Sequence, residues 1–272
     1  MARQVYNVAP SWEQQASLGK IEGVGTVNKF GRNTEIDSGV IADIWDGGKT
    51  VGALPAGTSL IWLAPTAAAV HNIASTSSSD DGDPVGVGLR TVKVFGLPDW
   101  DTPEVSETVI MNGTGNVATV NSYVIIHRMR ALTYGASGPN VGTVTATATA
   151  PSATTVTARI EAGKGQTQMA VYGIPSTQTL LVGCFYASAN KAAGAGALVD
   201  VGVLYNHDPA TQPAVFLVKH PIGLSTAGTS SGEHEYCFPK RFDGPGILKI
   251  QAVSGTNNMD LTAGFDMALV TN

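Results

Sequence analysis

Long apolar runs, closely spaced cysteines and charge are all scarce in this 272-residue sequence. No stretch reaches the roughly 18 consecutive apolar residues that a membrane-spanning helix needs, and the first residues lack the apolar core of a secretory leader. Synthesis in a cytosol is therefore expected, with no membrane partner. The two cysteines, Cys184 and Cys237, both fall in strand-like segments beside aromatics, where a free thiol behaves as a small buried hydrophobe. A reducing compartment disfavours a bridge between them. Charged residues make up only 14% of the chain, against about a quarter in an ordinary soluble domain, so part of the surface is expected to be covered by a partner. The net charge of −5 and the scattered Lys and Arg offer no footprint for nucleic acid. Long helical periodicity is missing too.

What the chain does have is a succession of short β-branched and small-residue segments broken by Gly, Pro, Asn and Ser. From 155 onward they are Thr155–Glu161, Thr167–Ile174, Thr179–Ala187, Ala197–Tyr205, Ala214–His220, Glu233–Phe238, Gly246–Val253 and Ala263–Val270. Eight strands of this kind predict an all-β fold, a jelly-roll-type β sandwich, over residues 151–272. A second β domain is expected over 58–150, from Thr58–Leu63, Arg90–Leu97, Glu104–Met111, Asn116–Val120, Tyr123–Thr133 and the Thr-alternating run 141–150. Asn112-Gly113 supplies type I′ hairpin chemistry between two of these runs. The polar run Ser75–Pro84 reads as an exposed loop.

Residues 1–57 carry isolated aromatics among Gly, Asn and Asp, with neither strand nor helix periodicity. They read as an extended N-terminal arm. Trp12, Phe30 and Trp45 are candidate anchors, because a large ring buries much area at little ordering cost; the alternative is an arm that wraps its own domain. Trp100, in Asp99-Trp100-Asp101, is a further candidate contact. A ring between acceptors suits sugar stacking, whereas the plainer reading is a strand-end anchor packed inward.

Motifs for chemistry fail one by one. Asp80-Asp81-Gly82-Asp83 lacks the spacing and terminal Glu of a calcium loop. In Glu233-His234-Glu235 a strand would send the imidazole to the face opposite the carboxylates. His71, His127, His207, His220 and His234 lie far apart and match no zinc spacing. Gly135-Ala136-Ser137-Gly138 is not a nucleophile elbow, Gly163-Lys164 lacks the leading Gly of a phosphate loop, and Gly23-Val24-Gly25 lacks the third Gly of a dinucleotide fingerprint. The expectation is no catalytic residue, no metal and no cofactor: the protein is not an enzyme.

Asp99-Trp100-Asp101, Ser106-Glu107-Thr108-Val109, Asn112-Gly113-Thr114, Ile125–Leu132, Gln168–Pro175 and the ending Asp260–Val270 resemble, in that order, uncharacterised virion structural proteins of tailed bacteriophages, marine ones in particular. The resemblance covers about residues 90–272 and implies a component of the virion made in the host cytoplasm. Together with the composition it leads to a head auxiliary, decoration or vertex protein. Its partners would be itself, as a homo-oligomer such as a trimer, and other virion proteins such as the major capsid protein. The alternative is a tail fibre or adhesin that binds a host glycan.

Overall fold

The structure, a computed structural model, describes residues 11–47, 59–63, 67–150, 155–191, 196–228 and 230–272. One short helix, α1 (Trp12–Ser17), opens it. Ser11 caps this helix by accepting from the Gln14 amide, while the Gln14 side chain accepts from the Ser11 amide, so two orphan donors are satisfied reciprocally. All the rest is strand and loop: β1 (Val24–Ile36), β2 (Ile41–Asp43), β3 (His71–Ser75), β4 (Leu89–Leu97), β5 (Val105–Ile110), β6 (Val117–Ala118), β7 (Ile125–Tyr134), β8 (Val144–Ala148), β9 (Val156–Ile160), β10 (Val171–Ile174), β11 (Gln178–Lys191), β12 (Leu198–Asn206), β13 (Leu217–Ser225), β14 (Ser231–Asp243), β15 (Gly246–Ser254) and β16 (Met259–Thr271).

These strands make four small antiparallel sheets around two cores. In one sheet the order is β1-β16-β11-β14, and in another β10-β15-β12-β13, with β2 also on β15. Between these two lies a core built from Phe185, Leu180, Val201, Val203, Leu248, Ile250, Leu261 and Phe265, among others. The remaining sheets run β6-β3-β8-β9 and β5-β4-β7, and share a second core that includes Trp45, Trp62, Ile73, Val92, Val94, Tyr123, Ile125 and Met129. Alternation explains the burial: Val199, Val201 and Val203 turn inward on β12, and Leu261, Ala263 and Phe265 do so on β16.

The body of β3–β9 is an insertion. The chain leaves at β2 and returns at β10, and both ends sit on the same edge of β15, with Ile41–Asp43 opposite Val253–Gln251 and Val171–Ile174 opposite Lys249–Gly246. Exit and re-entry are stitched together: Ala170 N donates to Ile44 O at 2.8 Å, Ile44 N to Ile250 O at 2.9 Å, and Ile250 N to Ala170 O at 3.1 Å. β1 crosses this junction so closely that a Cβ at Gly31 would stand 2.1 Å from Ile44 O. Only glycine fits there.

Several expectations need correction. Residues 24–43 are not an arm: β1 pairs with β16 from Val24 opposite Val270 to Ile36 opposite Met259, and β2 pairs with β15. The 151–272 set is not self-contained either. Of its eight segments the first, β9, belongs to the inserted body, and β1 and β2 supply what is missing. Residues 59–63 form no strand, although Trp62 is buried. Cys184 is buried and Cys237 exposed, both as free thiols. Deleting residues 1–57 would strip β16 of one of its two neighbours and open the core beside Phe265 and Leu261. The truncated chain is expected to show no cooperative thermal transition by circular dichroism, where a detachable arm would have left the melting curve intact.

Candidate functional site

The four aromatic candidates do not converge. Trp12 begins α1, and its side chain lies outside the described residues. Phe30 is half-buried on β1 opposite Gly264. Trp45 is 1% exposed in the second core, so it is closed to a neighbouring subunit; the expectation that it anchors an intersubunit arm is corrected. Trp100 is half-buried against the same core. Within its turn Asp99 Oδ1 accepts from Asp101 N at 2.8 Å and Thr102 N at 2.6 Å, and Asp101 Oδ1 accepts from Ser176 Oγ, between β10 and β11, at 2.7 Å. The acceptors beside the ring are thus occupied, as a strand-end anchor requires.

The run Ser75–Pro84 also differs from the exposed loop expected. Asp80 is fully buried and gathers Ser75 Oγ at 2.6 Å, Leu89 N at 2.8 Å, Val141 N at 2.8 Å and Gly142 N at 2.8 Å. One carboxylate therefore ties together three segments of the inserted body. It satisfies amides that no ladder reaches. Among the described residues no three His, Cys, Asp or Glu side chains converge as a metal set. Asp80→Ala would orphan the buried amides of Leu89 and Gly142 and the half-buried one of Val141 and is expected to cost about 3 kcal/mol in urea unfolding, while Asp83→Ala, on the exposed side of the loop, leaves the curve in place.

One ionisable cluster was not legible in the sequence. Lys29 comes from β1, His127 and Arg128 from β7, Glu104 from the segment before β5 and Tyr172 from β10, around a cavity of about 380 Å³ where the inserted body meets the first pair of sheets. Lys29 Nζ donates to His127 O. His127 Nε2 lies 2.5 Å from Glu104 Oε2, and its ring stacks on Tyr172 at 4.5 Å. The Arg128 guanidinium covers the Phe95 ring at 3.9 Å. Burial, reinforced by Arg128 and opposed by Glu104, pulls the Lys29 amine down to about 7. Burial likewise lowers His127 against the pull of Glu104. Lys29 of β1 bonds to His127 of β7 and His127 to Glu104, so the cluster acts first as a clasp between the two bodies, while His127 Nδ1 is buried with no hydrogen-bond partner.

A second polar centre sits on the other side of the junction. Asp46 Oδ1 accepts from Gln168 N at 2.8 Å and Oδ2 from Glu161 N at 3.3 Å, beside an opening of about 360 Å³ that Arg32 and Lys164 help to line. Burial pushes Asp46 up to about 8, outweighing the amide bonds and the Arg159 charge that pull it down. Close by, Asp43 is fully buried and accepts from Lys249 Nζ at 2.8 Å and Trp62 N at 2.7 Å.

These groups make stability depend on pH in two windows. For Asp46 the folded value exceeds the unfolded one, so the native state holds the extra proton between about pH 4 and 8 and stability falls as pH rises through that range. Lys29 has the opposite sign. Its folded value lies below the unfolded one, so between about pH 7 and 10 the unfolded chain binds the extra proton and stability rises with pH. Urea midpoints across the pH scale should show a fall that Asp46→Asn removes and a later rise that Lys29→Met removes.

No protein-family model matches the chain, and no curated protein does. Comparison with solved structures returns, at 10% identity, the T=1 particle derived from Infectious Bursal Virus, covering 92% of this chain and 77% of that one with a TM-score of 0.11. A score that low carries no argument about fold or role.

Proposed function

We propose that this protein is a non-enzymatic structural component of a tailed-phage virion, a head auxiliary, decoration or vertex subunit that assembles as a symmetric oligomer around a jelly roll. The observation that carries the reading is the order in which β1, β2 and β11–β16 alternate between the first two sheets. Counting these as eight, one sheet runs first, last, third, sixth, and the other second, seventh, fourth, fifth. That interleaving supports the jelly-roll reading, because a doubled Greek key places its eight strands in this order. The insertion between the second and third strands leaves the eight-strand set intact, because its two ends are stitched side by side on β15. Such a chain offers one body to build with and another to project.

Composition supports the same reading. With so few charges, the surface is poor in the groups that keep a subunit apart from its neighbours. The adhesin alternative gains less support, since the carboxylates flanking Trp100 already accept hydrogen bonds, Asp99 within the turn and Asp101 from Ser176. Mass spectrometry of density-purified particles, with immunogold labelling of intact virions, tests the proposal. The protein is expected in fixed stoichiometry with label on the head; its absence from purified particles would overturn the reading, and label confined to fibre tips would favour the adhesin.

A further inference from the structure

The free edge of the first sheet has an unusual pattern. β14 pairs only with β11 among the described residues, and the pairing is interrupted: Glu235 lies opposite Cys184 and Lys240 opposite Val182, so residues 236–239 bulge out of the ladder. At the bulge Phe238 is 88% exposed, the most exposed aromatic ring in the described chain. Cys237 beside it is exposed and free. Charge is ordered about this point. Glu233 and Glu235 precede it, Lys240 and Arg241 follow it, and Lys219 joins the basic end, where Lys240 Nζ donates to Lys219 O at 2.8 Å. Asp243 binds Arg241 Nε at 2.7 Å and leaves that end still cationic.

We propose that this bulged edge is a two-fold self-association surface, occupied by the β14 of a second copy of the chain running antiparallel. The charge order selects the occupant. An antiparallel copy turned about an axis near Cys237 sets Glu233 opposite Arg241 and brings Glu235 beside Lys240 and Arg241, whereas a parallel copy would set acid on acid and base on base. Phe238 supplies the central anchor that an interface of this kind needs. Pro239 and the bulge prevent the two edges from fusing into one continuous ladder, so the contact is made by side chains. His220 and His234, whose rings lie 4.0 Å apart behind this edge, with Tyr236 against both, hold β13 and β14 together beneath it.

The contact adds a symmetry element to the assembly proposed above, and it is tested in solution, apart from any particle. Sedimentation of the purified full-length protein should give dimers or even-numbered oligomers. Mild oxidation with copper-phenanthroline should yield a disulfide-linked dimer that Cys237→Ser abolishes and Cys184→Ser does not. Phe238→Glu should weaken association by about 100-fold with an unchanged circular dichroism spectrum, since the ring is outside the core. Arg241→Glu should weaken it too, and adding Glu233→Arg to that variant should restore it, because the reversal repairs both symmetry-related pairs at once. A protein that stays monomeric at about 100 µM, or an oligomer indifferent to Phe238→Glu, would overturn the contact. Detection in virions would still stand or fall on its own assay.

Discussion

Closure of the first sheet by β1 on β16 is the constraint on which the rest depends. Residues 24–36 must find residues 259–271 before β16 has a neighbour on that side and before the chain can exit at β2 and return at β10. Contacts of such sequence separation are slow to form and yield nothing until the loop is closed. The junction hydrogen bonds among Ile44, Ala170 and Ile250 share that dependence, because they exist only when both ends of the insertion lie along β15.

Where ladders stop, buried charge takes over. The segments that cross between the two bodies, and the loops that meet inside the inserted one, cannot satisfy all their amides with strand partners, and an unpaired buried amide is costly. Asp43, Asp46 and Asp80 fill that need. Each accepts at least one backbone N–H: Asp43 from Trp62, Asp46 from Glu161 and Gln168, Asp80 from Leu89, Val141 and Gly142. Lys249 offsets Asp43, with its ammonium 4.1 Å from the centre of the Phe216 ring. Such pairs add little net stability over an apolar core, but removing one partner leaves a stranded charge. They fix position.

β11, β12, β15 and β16 were legible because their inward positions are apolar: Val199, Val201 and Val203, or Leu261, Ala263 and Phe265. β1 was not, for the converse reason. Its inward residues include Lys29, Gly31 and Asn33, so period-2 burial leaves no period-2 hydrophobicity to read. Trp45 was visible as an isolated aromatic, but nothing local distinguishes a ring that fills its own core from one that fills a neighbour's. Asp80 looked like one more solvated carboxylate, since its burial is decided by amides as distant as Gly142. The clasp joins Lys29 to His127, 98 positions away, and no spacing rule reaches that far.

Those interior charges bear on the proposed role. Lys29, Asp43, Asp46, Asp80, Arg159 and Lys249 are all buried, so a chain already short of charge keeps still less of it outside. Apolar side chains such as Phe238, Leu198 and Val120, which are 88%, 72% and 90% exposed, therefore stand on a surface with few charges around them. In a free monomer this combination is a hazard. In an assembled one it is consistent: the charges hold two β bodies in register inside each subunit, and the weakly charged exterior leaves shape and a few ordered ion pairs to decide which faces meet.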